Sequence, residues 1–160
     1  MDNEAEKFRF LEPGELRDDV VILRLAETQP ADPARNRVPC YVFHIISAET
    51  ERRAGEIYLR IGNAEHIRQY GGHVGYDVRP KFRGNHFAAR ALRLLMPLAR
   101  RHGLSELWIT CNPDNVGSRR TCELAGAEMI EIVDLPPHVD MYHKGDRQKC
   151  RYRLDLLTRK

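Results

Sequence analysis

One segment constrains the fold more than any other. Across 85–102, Ala88, Ala91, Leu92, Leu95, Leu98 and Ala99 recur at three- and four-residue spacing. That period puts one apolar face on a helix and leaves Arg90, Arg93, Arg100 and Arg101 on the other side. Pro97 falls on the polar face between Arg93 and Arg100, where the carbonyl freed at Arg93 meets water. The spacing therefore predicts a bent helix and not a broken one. Gly103 supplies its stop. Strand-sized apolar stretches flank it, 73–79 before and 107–110 after. A strand, a crossing helix and a second strand imply parallel pairing in the middle of a sheet.

The remaining segments fill in around that unit. Residues 1–18 are polar, with a turn at Pro13-Gly14. Strands are expected over 20–25, 41–47 and 55–61, the last alternating Ile57, Leu59 and Ile61 against Glu56, Tyr58 and Arg60. These suit an antiparallel meander. Three prolines make 27–39 a loop or at most a short helical turn. Asn112-Pro113-Asp114-Asn115 offers N-caps for a second helix that ends at Gly126. Closing strands follow over 129–133 and 150–156, with a polar, proline-rich loop (135–147) between them. With no internal repeat, 1–160 reads as a single α/β domain: a mixed, mostly antiparallel sheet with a central parallel strand pair and flanking helices.

Charge and cysteines narrow the function classes. The net charge of +3 is too weak for a nucleic-acid partner, and no aromatic stripe supports one. Cys40, Cys111, Cys122 and Cys150 form no C-x-x-C pair and read as free thiols in a reducing compartment. The start, MDNEAEKFRF, lacks a signal-peptide pattern, and no apolar run reaches membrane length. The expectation is a cytoplasmic protein with no membrane partner.

The chemistry centres on 76–88. There a strand (Tyr76, Asp77, Val78) runs into a basic, glycine-containing turn (Lys81, Phe82, Arg83, Gly84), which opens the long helix at Asn85, His86, Phe87 and Ala88. A helix's first turn carries unpaired N–H groups and partial positive charge, which suits an anion such as a phosphate. The same pattern also serves a plain strand-to-helix turn.

This stretch resembles the GNAT superfamily of N-acetyltransferases, whose signature is Arg/Gln-x-x-Gly-x-Gly/Ala at a strand-to-helix turn. Residues 112–127 (NPDNVGSRRTCELAGA) resemble the matching segment of the ribosomal-protein N-terminal acetyltransferase branch. The resemblance implies the GNAT fold, with a splayed central strand pair, and acetyl-CoA as co-substrate. By the same likeness, backbone groups of Tyr76 and Val78 would pair with the pantetheine arm. Amides of Arg83, Gly84, Asn85, His86, Phe87 and Ala88 would cradle the pyrophosphate, Asn115 would bond the pantetheine, and Ser118 would sit near the thioester. The acceptor would be a small-molecule amine or a protein N-terminal amine, and the family allows a homodimer.

Two positions depart from the family. His86 stands where a second Gly or Ala is usual, and Cys122 stands where many members carry a tyrosine acid. These departures keep a second reading open: a non-catalytic acyl-CoA-binding sensor or partner module. Ser118, Cys122 and Tyr142 are the candidate acids for the leaving thiolate. Asp77, His73 and Glu56 are the candidate bases, though each also reads as ordinary surface charge. Arg90, Arg93, Arg119 and Arg120 would meet the ribose phosphate or form a solvated helix face. His138, Asp140, Tyr142 and His143 crowd the 135–147 loop without matching a defined metal site, so the loop is expected to contact substrate and no metal is expected.

Overall fold

Alternation of apolar and polar residues produces a five-stranded meander in the computed structural model, which describes residues 8–157. Most of the acidic start read as leader-free lies outside the described residues. The meander comprises β1 (Leu16–Arg17), β2 (Val21–Gln29), β3 (Cys40–Ser47), β4 (Arg53–Arg60) and β5 (Val74–Val78), paired antiparallel in that order. Then come α1 (Phe87–Arg101), β6 (Glu106–Cys111), α2 (Val116–Ala125), β7 (Glu128–Asp134), α3 (Asp140–His143) and β8 (Gln148–Asp155). The last three strands form a second antiparallel sheet in the order β6-β8-β7.

The expected central parallel pair does not form a ladder. Among the described strands every ladder is antiparallel, and β5 and β6 are the unpaired facing edges of two sheets. Before β5, the His73 N–H donates to the Trp108 carbonyl at 2.7 Å, and Thr110 Oγ1 donates to the Tyr70 carbonyl at 2.7 Å. The start of β6 is thus bonded to the turn that precedes β5. Further on, the two strands run without a ladder between them, and both wall a cavity.

The long helix forms as its periodicity requires and runs on through the exposed Pro97. Its apolar face packs on β2, β4 and β5, and its side meets α2. Ala91, Leu92, Leu95 and Ala99 are fully buried in one cluster with Phe43, Ile57 and Leu59 of the first sheet and Leu107, Ile109 and Tyr152 of the second. At roughly 1.5–3 kcal/mol for each large apolar side chain removed from water, this shared core fastens the two sheets together. The four cysteines are free and buried, as their spacing suggested.

Some elements differ from the sequence reading. Strand β2 continues into the expected loop as far as Gln29, which pairs with Cys40. Residues 67–71 form a wide helical turn, with the Arg60 guanidinium gripping the carbonyls of Gly71 and Gly72 at 3.1 and 2.9 Å. Among the described residues, no helix is long and apolar enough to cross a membrane.

Candidate active site

The site begins where β5 gives way to α1. A short 3-10 turn over Pro80–Phe82 ends with the Arg83 N–H donating to the Pro80 carbonyl at 3.2 Å. Arg83 Nε returns to the Val78 carbonyl at 2.7 Å, and Asn85 braces the loop through the Phe82 carbonyl at 3.3 Å. The chain then takes left-handed backbone at Gly84 (φ 86°) and at His86 (φ 63°). The first bond of α1 runs from the Arg90 N–H to the His86 carbonyl at 3.1 Å, so the amides at 87–89 precede it. No acidic residue occupies this first turn, and no side chain caps it. The positive end of the helix therefore faces outward uncompensated.

That end opens on a cavity of about 600 Å³ bounded by the 82–88 loop and the outer face of α2. A smaller one of about 290 Å³ lies between β5 and β6, walled by Glu56, Tyr58, Asn112 and Lys149. Gly75 gives the second its shape, because a Cβ there would collide with the Tyr58 ring. Tyr76, Asp77, Asn115 and Ser118 line both spaces. Register sets which groups face them. The His73 carbonyl and the Arg79 N–H bond to β4, so by strand alternation the backbone of Val74, Tyr76 and Val78 points toward β6 and the cavities.

Side chains at the junction are tied together. Asn115 caps α2, its Oδ1 accepting the Ser118 N–H at 3.1 Å. The Tyr76 hydroxyl lies 2.8 Å from Ser118 Oγ and 3.7 Å from Cys122 Sγ. Burial holds the Tyr76 phenol far above its ordinary range and pushes the Cys122 thiol up to about 12. Both stay protonated at neutral pH.

Of the residues singled out in the sequence, Tyr76, Asp77, Val78, Arg83, Gly84, His86, Phe87, Ala88, Asn115 and Ser118 line the cavities. Asn85 braces the loop from behind. Cys122 is fully buried behind Tyr76 and lines neither space. Tyr142 also lines neither; the Arg147 guanidinium stacks on its ring at 3.8 Å. His73 is fully buried, with Nδ1 accepting the Trp108 N–H at 2.9 Å and Nε2 against the Gly62 carbonyl at 2.9 Å. Burial draws its pKa down to about 4, so it serves the fold as a neutral ring. Glu56 pairs with Arg53 at 3.0 Å. Arg90 is taken by Asp18 at 3.0 Å, and Arg119 by the Tyr152 hydroxyl and the Pro113 carbonyl, both at 3.1 Å. Of the four arginines considered for a phosphate, Arg120 lines the larger cavity.

Sequence reasoning missed Tyr58, Asn112 and Lys149 as wall residues, and the Tyr76 side chain as a partner of Ser118. Lys149 Nζ donates to Asn112 Oδ1 at 2.7 Å and to Asp146 Oδ2 at 3.2 Å. The signal for it was position: it lies two residues past the loop expected to touch substrate.

A strand-to-helix turn with an open amide end, set beside a second cavity, suits an enzyme that moves a group from a phosphorylated carrier to an acceptor. Comparison with known families identifies the carrier: the profile described as "Acetyltransferase (GNAT) domain" matches residues 2–128. The chain belongs to the GNAT acetyltransferase family, whose activity is acetyl transfer from acetyl-CoA. Solved structures share the fold at low identity. The ribosomal L7/L12 alpha-N-protein acetyltransferase RimL aligns at 17% identity and TM-score 0.62, over 89% of this chain and 98% of its own. An acetyltransferase of Salmonella typhimurium that modifies the N-terminal serine of the 50S protein L7/L12 aligns at 18% and 0.56, over 76% and 66%. The microcin C7 self immunity acetyltransferase MccE, solved with acetyl-CoA and AMP, aligns at 17% and 0.58, over 72% and 61%. No curated protein matches the sequence.

Proposed function

We propose that this enzyme binds acetyl-CoA in the larger cavity and acetylates the α-amine of a peptide or protein held in the smaller one. The observation that carries the reading is the shared wall: Tyr76, Asp77, Asn115 and Ser118 border both spaces, so a thioester and an amine would meet there. The chain's residues fit the carrier. The open amides at 87–89 and the Arg120 guanidinium suit its phosphates, and the cleft-facing edge of β5 suits its amide-bearing arm. When bound, acetyl-CoA supplies an activated acetyl carbon.

The protein's part is positioning and proton handling. An α-amine with pKa near 8 is partly neutral at pH 7, whereas a lysine amine near 10.4 is almost wholly protonated. The carboxylate of Asp77, on both cavities and 86% exposed, suits the modest task of taking a proton from an α-amine, directly or through water. A cleft-facing backbone N–H of β5 would meet the developing oxyanion. Ser118 would stand against the sulfur. Two of the structural relatives are described as acting on the N-terminus of ribosomal L7/L12, which agrees with this choice of amine.

The test is mass spectrometry of peptides incubated with enzyme and acetyl-CoA. One peptide has a free N-terminal serine, and a second has a blocked N-terminus and an internal lysine. Acetylation of the free terminus alone is expected. Modification of the lysine peptide with the free-terminus peptide untouched would refute the reading.

A further inference from the structure

The Tyr76 phenol is a half-buried group that the reaction outlined above does not use. We propose, resting on that reading, that Tyr76 is a positioning residue: its hydroxyl donates to Ser118 Oγ and so turns the serine's own proton onto the thioester sulfur. The two oxygens are 2.8 Å apart, a short bond between hydroxyls that sit on both cavities. The alternative acceptors for the phenol, the Ser118 carbonyl at 3.4 Å and Cys122 Sγ at 3.7 Å, are more distant.

Ser118 has little freedom otherwise. Its N–H is held by Asn115 Oδ1 at 3.1 Å, which fixes the first turn of α2. Its hydroxyl has a competing neighbour in the buried Cys111 thiol, which lines the same cavity. Burial raises the Cys111 thiol, so at neutral pH it is an uncharged and weak acceptor. The thiolate that forms is charged and accepts the serine's hydrogen bond in preference. With that proton committed to sulfur, Ser118 Oγ can only accept from Tyr76. Cys122 lies behind the phenol at 3.7 Å, and the other titratable or charged groups on these walls are Asp77, Glu56, Tyr58, Cys111 and Lys149 in the smaller cavity and Arg83, His86 and Arg120 in the larger one.

The step balances without a proton leaving tyrosine. The amine nitrogen bonds the acetyl carbon, and the carbon–sulfur bond breaks with its electron pair going to sulfur. Ser118 steadies that charge by hydrogen bonding. The proton that completes the thiol is the one the nitrogen gives up, so Ser118 and Tyr76 end unchanged.

A titration of the thiol of bound coenzyme A, followed by thiolate ultraviolet absorbance, tests this without any acceptor. The wild-type complex should show a thiol pKa below that of free coenzyme A. Tyr76→Phe and Ser118→Ala should each raise it, by about one unit. The double variant should rise no further, because the tyrosine acts through the serine. A wild-type value in Tyr76→Phe, or additive shifts in the double variant, would overturn the proposal. Should Tyr76→Phe fail to fold, Ser118→Ala at the exposed start of α2 decides alone, an unchanged pKa there being fatal. Coenzyme A that does not bind at all would instead reject the reading of the larger cavity.

Discussion

His73 and Trp108 are bonded twice: the Trp108 N–H donates to His73 Nδ1 at 2.9 Å, and the His73 N–H donates to the Trp108 carbonyl at 2.7 Å. This pair joins the two sheets at the root of the smaller cavity. It holds the imidazole neutral, since a protonated ring could no longer accept at Nδ1.

Acid should therefore loosen this joint. Burial depresses the folded pKa of His73 to about 4, against about 6.5 in the unfolded chain, so the unfolded state binds more protons between those values. Stability from this group is full above about pH 6.5 and drains away as the pH falls toward 4, by at most about 3 kcal/mol. Urea unfolding of wild type and His73→Gln at pH 7.5 and pH 5 measures it. The wild type should lose more stability on acidification than the variant. Equal losses would show that the ring does not carry the effect.

Asp18 pins the start of β2 to the long helix. Its Oδ1 accepts the N–H groups of Val20 and Val21, each at 2.8 Å, and its Oδ2 meets Arg90 at 3.0 Å. Burial works against the carboxylate, yet these bonds outweigh it and hold the pKa below the usual value. Asp18→Ala should cost about 1–2 kcal/mol, and Asp18→Asn less, because the amide oxygen still accepts. Thermal unfolding reads both.

The sequence made the regular parts of this fold legible because each has a local cause. The spacing from Ala88 to Ala99 requires a helix with one buried face, and Asn115 and Gly126 mark the ends of α2 by capping chemistry alone. β1 was missed because two residues give no pattern, and 67–71 because its turn is held by Arg60, distant in sequence. Whether the central strands close a ladder was not legible for a similar reason. Strand order predicts neighbours, whereas ladder closure depends on how side chains fill the space between them. At the site, glycine and charge revealed the loop, but burial separates His73, an apparent base, from Asp77, an exposed one. Nothing local foretold that the Tyr76 phenol would reach across to Ser118.

His86 holds left-handed backbone where the family resemblance leads one to expect Gly or Ala. Its left-handed φ of 63° is open to glycine and tolerable for histidine, but strained for a β-branched side chain. His86→Val should lower stability by about 1–2 kcal/mol, or roughly 3–6 °C for a chain of this size, and weaken acetyl-CoA binding. His86→Gly should bind acetyl-CoA at least as tightly as wild type. Weaker binding by the glycine variant in calorimetry would mean that the imidazole itself holds the ligand.

Lys149 separates the two cavities experimentally. It lines the smaller one, where Asn112 and Asp146 hold its ammonium. Lys149→Met should raise KM for the acceptor peptide about tenfold and leave acetyl-CoA binding unchanged, as expected when one hydrogen bond to a charged group is lost. Kinetics against each substrate in turn decides this.

The central claim is that the loop at 82–88 receives the phosphates of acetyl-CoA, and ligand-induced stabilisation tests it most directly. Gly84 has φ 86° and open space where a Cβ would point, so Gly84→Ala adds strain alone while Gly84→Glu also brings a negative charge to the anion site. At about 100 times its dissociation constant, acetyl-CoA should stabilise the wild type by about 2.7 kcal/mol, a rise of roughly 5–10 °C in Tm. Gly84→Ala should melt lower yet keep most of that rise, and Gly84→Glu should remain folded and lose it. An undiminished rise in Gly84→Glu would contradict the account.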